Sequence, residues 1–265
     1  MYNCVENTDF RGKSCSVCGI GISNYPLIDF LLSRGASVVA RDRKSEAELS
    51  CAAALRGRGV ELRCGEDYLD DIEEDYIFRA PGIRYDVPGF VRAVERGSIL
   101  TSEMQLFFEL CPCRIIGITG SDGKTTTTTL ISKILEVAGY RVFVGGNIGR
   151  PLLPELGNMT ENDYAVVELS SFQLHTMTLS PDIAVVTNIS PNHLNYHKGM
   201  EEYIAAKENI FTHMRPGGRL VLNAENDYTR DMANRAAEGT DLLFFGKDGD
   251  ICERDGYITS GGKRI

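Results

Sequence analysis

Short apolar runs alternate with stretches of helical period along this chain, and the alternation starts twice. The first start is "SCSVCGIGISNYPLIDFLLSRGASVVARD". Its run from Ser14 to Cys18 predicts a buried strand, and Gly19 and Gly21 predict the turn after it. Ser23 or Asn24 is placed to cap a helix that begins near Pro26, a favoured early helical position. Gly35 ends that helix, and Ser37 to Ala40 is the next strand. The second start is "RIIGITGSDGKTTTTTLISKILEVAGYRVFVGG". It predicts a strand from Arg114 to Thr119, a glycine turn, a helix to about Ala138, a stop at Gly139 and a strand from Arg141 to Val144. Two such βαβ starts predict an α/β fold of two Rossmann-like/P-loop domains with mostly parallel sheets. The proline in "LCPCR", residues 110 to 114, follows the helical stretch "SEMQLFFEL" and marks a linker. The expected domains are therefore 1–112 and 113–265. "YAVVEL", "DIAVVTNI", "GRLVLNA" and "DLLFFG" read as later strands of the second sheet, and "ICERDGYITSGGKRI" as a hairpin. The second domain is expected to be incomplete where the chain stops.

Composition narrows the partners. The chain has 265 residues and a formal charge of -9, from 28 Lys and Arg against 37 Asp and Glu. No basic run stands out, which argues against nucleic acid. Backbone donors at a helix start can still bind a small anion against that net charge. The start "MYNCVENTDF" lacks the pattern of a secretory signal, and no apolar run reaches membrane-spanning length, so a cytoplasmic protein is expected. Cysteines stand at 4, 15, 18, 51, 64, 111, 113 and 252. Cys15-x-x-Cys18 lies inside the first strand rather than at a helix start, so it reads as small buried hydrophobes, not as a redox or zinc motif.

The first glycine turn, Gly19-x-Gly21-x-x-Asn24, matches the dinucleotide fingerprint imperfectly, because Asn24 stands where glycine is wanted. A nucleotide site and ordinary turn chemistry both stay open there. Asp42 ends the second strand, where such folds contact a ribose or base. The second turn is not the standard P-loop, since Ile118 stands where its first glycine belongs. The ingredients are present nonetheless. Gly120 to Gly123 can turn N–H groups toward an anion, Lys124 adds a point charge, and the Thr125 hydroxyl can bind Mg2+. Thr126 to Thr129 are poor helix formers, so packing must hold their helix. Glu168 ends an apolar strand, where a carboxylate could hold Mg2+. His193 follows another strand. Each has a bland alternative, a helix cap for Glu168 and a buried hydrogen-bonder for His193. His193-x-x-x-His197 invites a zinc reading, but no third ligand is evident.

"GSDGKTT", "GGNIG", "ELSSFQL", "NISPNHLNYH" and "YIAAKENIF", in this order, resemble the Mur ligases. "GIGISN", "RDRK" and "APGIRYDVP" resemble that family's UDP-substrate domain, so the resemblance spans essentially the whole chain. "ELSSFQL" is most similar to the members that add D-glutamate to UDP-N-acetylmuramoyl-L-alanine. The resemblance implies a magnesium-dependent ligase of peptidoglycan precursor synthesis, and so of cell wall, cell shape and division. It would spend ATP to activate a carboxylate as an acyl phosphate, which an amine then attacks. It implies that Gly120, Ser121, Asp122, Gly123, Lys124, Thr125 and Thr126 hold ATP. Thr125, Glu168, His193 and Lys207, the last as a carbamate, would hold Mg2+. Asn147 lies near the substrate's reacting end and joins Lys124, Glu168, His193 and Lys207 in the catalytic set. Gly21, Ile22, Ser23 and Asn24 would approach the UDP diphosphate, Asp42 and Arg43 the uracil, and Gly82 the sugar. Positions 169 and 170, Leu169 and Ser170, would complete the substrate contacts. The family's third domain, which binds D-glutamate, is not in this sequence, so substrate binding with little turnover is expected, on a monomer. Asn195 also departs from the family's usual aspartate. The rivals are another Mur-type or folylpolyglutamate-type ligase, a binding-only homologue, and a nicotinamide oxidoreductase, which would leave the Lys124 loop unexplained.

Overall fold

A computed structural model describes residues 9–265; Cys4 and most of the "MYNCVENTDF" stretch lie outside the described residues. The chain divides into two compact units. One holds the described residues up to Leu110 together with Pro151–Gly157, and the other holds Cys111–Arg150 and Asn158–Ile265.

The first unit runs β1 (Ser14–Cys18), α1 (Asn24–Ser33), β2 (Ser37–Asp42), α2 (Ala52–Gly57), β3 (Glu61–Cys64), β4 (Tyr76–Arg79), α3 (Pro88–Glu95), β5 (Ile99–Thr101) and α4 (Glu103–Leu110). Its strands lie in the order β3-β2-β1-β4-β5, all parallel. Strand β1 is central, with Val17 opposite Ala40 on one side and Phe78 on the other. That position explains its burial, because a strand flanked on both sides and covered on both faces hides consecutive residues, here Cys15 to Cys18, Ser16 included. Cys15 and Cys18 are fully buried, and burial pushes both thiols up to about 12, as expected of cysteines acting as hydrophobes.

Neither predicted cap of α1 forms. Ser23 is already helical and makes no side-chain cap bond. Asn24 is buried instead, and its Nδ2 donates to the Gly19 carbonyl at 2.9 Å and the Cys18 carbonyl at 3.3 Å. The amide is used to close the end of β1. Gly35 does end the helix, in the left-handed region at φ 84, with its N–H on the Leu32 carbonyl.

The second unit runs β6 (Arg114–Thr119), α5 (Lys124–Val137), β7 (Val142–Gly146), β8 (Tyr164–Glu168), α6 (Ser171–Leu174), β9 (Ile183–Val186), α7 (Met200–Glu208), β10 (Arg219–Asn223), α8 (Asp227–Met232), β11 (Asp241–Phe245), β12 (Ile251–Arg254), β13 (Tyr257–Ser260) and β14 (Lys263–Arg264). The sheet order is β14-β13-β12-β11-β10-β9-β6-β8-β7. It is parallel from β7 to β12 and antiparallel through β13 and β14, the hairpin that the sequence predicts. Strand β6 lies between β8 and β9, so the loop after it opens where those strands also end. Ile116, Ile118, Val166 and Val185 form a core cluster across these three strands.

Candidate nucleotide site at the end of strand β6

Residues 120–123 join β6 to α5. Gly120 lies at φ 150, and a Cβ there would stand 1.9 Å from the Thr187 hydroxyl, so only glycine lets the loop lie this close to the end of β9. Gly123 is left-handed at φ 77 and forms the N-cap of α5. The segment after β9 holds the loop from below. Thr187 Oγ1 donates to the Asp122 carbonyl at 2.6 Å, Asn188 Oδ1 accepts from the Asp122 N–H at 3.0 Å, and Ser190 N–H donates to Ser121 Oγ at 2.8 Å. Ser121 Oγ also lies 2.9 Å from the Tyr203 hydroxyl of α7. These partners fix the loop, and apolar and polar periodicity alone does not reveal them.

Five of the nominated side chains gather around the loop. Lys124 Nζ donates to the loop's own carbonyls, at 2.9 Å to Gly120 and 2.8 Å to Ser121. Thr125 Oγ1 donates to Glu168 Oε2 at 2.7 Å. Asn147 Nδ2 donates to Glu168 Oε1 at 2.9 Å, and Glu168 itself is buried. Lys207, on α7, is 2% exposed and donates to the Gly120 carbonyl at 2.8 Å and Thr119 Oγ1 at 3.2 Å. Burial, helped by the charge of Lys124, lowers the Lys207 amine to about 7. His193 lies on the exposed loop between β9 and α7, left-handed at φ 54, with its ring 4.8 Å from that of Phe172. Partial burial and the charges of Lys207 and Lys124 lower its pKa, which favours the neutral imidazole. Asp122 and Thr126 are exposed at the start of α5.

Other nominated residues fall differently. Leu169 is fully buried and offers no polar group to a substrate, so the serines of this motif are Ser170 and Ser171. Ser170 caps α6 in a capping box with Gln173. His197 does not pair with His193 to make a zinc site; it is buried, with Nε2 3.0 Å from Ser171 Oγ.

In the first unit, the Asp42 carboxylate accepts from the Ile20 N–H at 2.8 Å and the Lys44 N–H at 2.9 Å. It ties the first glycine turn to the end of β2. Gly19, at φ 84, approaches the next loop so closely that a Cβ would meet that of Ala80 at 2.8 Å. Gly21, Ile22, Arg43 and Gly82 are exposed at this strand-end edge, and Ser23 is half-buried. The sequence does not reveal the nearby arginines. Arg41 is buried in a 3.0 Å ion pair with Glu74, and Arg79 spends its guanidinium on the carbonyls of Pro81 and Ile83. Among the described residues, no helix is long and apolar enough to cross a membrane.

This geometry has known relatives. The Mur ligase middle domain matches residues 118–263. Over 239 residues the chain is 50% identical to the UDP-N-acetylmuramoylalanine--D-glutamate ligase of Acetivibrio thermocellus, covering 89% of this chain and 51% of that protein. The enzyme of the same name from Clostridium kluyveri is 53% identical over 226 residues, covering 84% of this chain and 49% of that protein. The chain thus spans about half the length of the curated relatives it matches. Among solved structures, the UDP-N-acetylmuramate:L-alanyl-gamma-D-glutamyl-meso-diaminopimelate ligase from Neisseria meningitides superposes with a TM-score of 0.61 at 19% identity, covering 95% of this chain and 85% of that one. The UDP-N-acetylmuramate-alanine ligase of Thermotoga maritima gives 0.54 at 22% identity, covering 96% and 59%. At such identities the structures speak for the fold alone. From the matched middle domain, this chain belongs to the Mur ligase family.

Proposed function

We propose that this chain carries the nucleotide and UDP-substrate sites of an ATP-dependent ligase that joins D-glutamate to UDP-N-acetylmuramoyl-L-alanine through an acyl phosphate, in cytoplasmic peptidoglycan precursor synthesis. The names of its half-identical relatives support the substrate pair. The observation that carries the reading is the chain of contacts Thr125–Glu168–Asn147 beside a glycine loop that no Cβ could enter at Gly120.

The residues present fit a magnesium nucleotide. The donors beside the loop are a hydroxyl and a carboxylate, the hard oxygens Mg2+ selects. The loop leads into a fourteen-residue helix, whose first N–H groups favour an anion. Lys124, now resting on two loop carbonyls, supplies the charge that phosphate oxygens would take up. Thr125 and Glu168 would hold the metal, and Asn147 fixes the second Glu168 oxygen so that the first points one way. Neutral His193 keeps a lone pair for a cation. The Lys207 amine, lowered to about 7 chiefly by burial, suits reaction with CO2 to form, with release of a proton, a carbamate, which would add a carboxylate-like ligand. The nucleotide, when bound, supplies the phosphoryl group that activates the substrate carboxylate. The protein's task is positioning and charge neutralisation, not nucleophilic attack. The exposed backbone at Gly21 and Ile22, with Arg43 and Gly82, would receive the UDP moiety in the first unit.

Titration calorimetry with Mg-ATP and, separately, UDP-N-acetylmuramoyl-L-alanine tests the assignment. Lys124→Ala removes one charge-assisted phosphate contact and should weaken Mg-ATP by roughly 10–100-fold. It should leave the UDP substrate unchanged, because that site belongs to the other unit. Equal loss of both ligands in a folded variant would refute the two-site assignment.

A further inference from the structure

Outside the nucleotide site, the second unit brings together His175, just after α6, His197, in the loop before α7, and Glu202, in the first turn of α7. One ligand atom from each lies within 4.8 Å of the others. His175 Nε2 is 3.7 Å from Glu202 Oε1, and His197 Nδ1 is 3.6 Å from Glu202 Oε2. Both separations exceed a charge-assisted hydrogen bond, about 2.7–2.9 Å. They run to different oxygens of Glu202, of which Oε2 also accepts the Lys198 N–H at 2.6 Å, and they lie a few tenths of an ångström above the spacing of donors around a tetrahedral zinc ion, roughly 3.3 Å for bonds of about 2.0–2.1 Å. We propose that His175, His197 and Glu202 form a transition-metal site, selective for Zn2+ or a similar ion over Mg2+, that ties the end of α6 to the start of α7.

Three features support this. The donor set is two imidazoles and one carboxylate, which suits zinc and its neighbours, whereas Mg2+ prefers oxygen alone. The second ring nitrogen of His197, Nε2, has its own partner in Ser171 Oγ at 3.0 Å. Metal-binding histidines are held this way, because a bond from one nitrogen orients the lone pair of the other. A metal on Nδ1, which faces the Glu202 carboxylate, would require the tautomer in which Nε2–H donates to Ser171 Oγ. The site is also walled. The His197 and His175 side chains are 0% and 8% exposed, while Glu202, at 17%, leaves an opening. Phe172 stacks on the His197 ring at 5.8 Å, and Tyr203 meets its edge at 5.3 Å.

The site has a consequence for its neighbour. Glu202 and Lys207 share α7, and Tyr203 of the same helix reaches Ser121 of the phosphate loop. An ion at Glu202 would fix the start of that helix and, through it, the height of Lys207. This is a positioning role, separate from the magnesium site at Glu168.

Chelator-treated protein titrated with Co2+, then with Zn2+ in competition, tests the site without any nucleotide. The expected result is visible d–d absorption saturating at a single equivalent, without a near-ultraviolet thiolate band, and displacement by Zn2+. His175→Ala and Glu202→Gln should abolish it. Ser171→Ala should weaken it by roughly 10–100-fold, as losing such a supporting bond does elsewhere. His193→Ala should leave it intact. Zn2+ should also shift the ring nitrogens of His175 and His197, and not those of His193, in histidine-detected NMR of the unaltered protein. The proposal fails on any of four outcomes: no saturable absorption, a thiolate band, variants that bind like the parent, or an unchanged His175 and His197 spectrum.

Discussion

Lys207 departs furthest from the habits of its residue type, since lysines are almost never fully buried without a partner charge. Its Nζ meets only a carbonyl and a hydroxyl among its hydrogen-bond partners, with Lys124 close enough to oppose its charge. Both influences favour the neutral amine. Its pKa is lowered from 10.5 to about 7, so the charged form gives way as pH rises through 7. Only the neutral amine attacks CO2. Carbamate formation should therefore climb between about pH 6 and 8, where an ordinary lysine would still be protonated. Protein equilibrated with 13C-bicarbonate and Mg2+ should show one carbamate carbon resonance with that pH profile, absent in Lys207→Ala. A resonance that appears only near the usual lysine range, or that survives the substitution, would count against a carbamate at Lys207. Periodicity places Lys207 beside the face of Tyr203, Ala206 and Ile210, but its role rests on the family resemblance. Its contacts with Thr119 and Gly120 span 88 and 87 positions, beyond the reach of any local pattern.

At the scale of elements, β6, its loop and α5 form one device with two glycines of unequal standing. Gly123 is left-handed, but a Cβ there would find its nearest neighbour, Thr187 Cβ, at 4.0 Å. Gly123→Ala should cost about 1–2 kcal/mol, the left-handed penalty alone. Gly120 combines its unusual backbone with the 1.9 Å approach to Thr187 Oγ1, which is itself held on the Asp122 carbonyl. Gly120→Ala should cost more, because the strain of about 1–3 kcal/mol is joined by displacement of the loop. Denaturant unfolding of the two variants checks the order; an equal cost would mean that Thr187 yields freely. The outlines of these elements were legible in the sequence. The glycine and threonine run predicted a helix after β6, and the observed α5 is Lys124–Val137. The cap of α1 was not legible, because Asn24 has two uses for one amide and only the folded neighbourhood selects the carbonyls of Cys18 and Gly19. Nor was the metal cluster, since His175 and His197 stand 22 positions apart with no motif between them.

For the whole molecule, the least legible feature is the path of the chain. Pro151–Gly157 belongs to the first unit, although it lies between β7 and β8 of the second. Leu152 and Leu153 are buried, which supplies an apolar reason for the excursion. The Leu153 N–H also bonds the carboxyl of Glu103, at the start of α4. Glu103 is 5% exposed, and burial raises its pKa from 4.5 to about 7, against the smaller opposing effect of that bond. The sign of the linkage follows. Between those values the folded protein keeps a proton that the unfolded chain has released, so stability falls as pH rises from 4.5 toward 7. The loss approaches on the order of 3 kcal/mol and levels off above 7. Glutamine has no proton to lose, and its Oε1 can still accept the Leu153 N–H. Glu103→Gln should therefore be close to the parent in stability near pH 4.5 and increasingly more stable as pH rises, with the gain complete by about pH 8. Hydrogen exchange, corrected for its intrinsic pH dependence, locates the gain. Added protection should appear in β1, β4 and β5 of the first unit, not in β7 and β8, which flank the excursion in sequence. A pH-independent difference would mean that Glu103 titrates normally, and protection confined to β7 and β8 would assign residues 151–157 to the second unit instead.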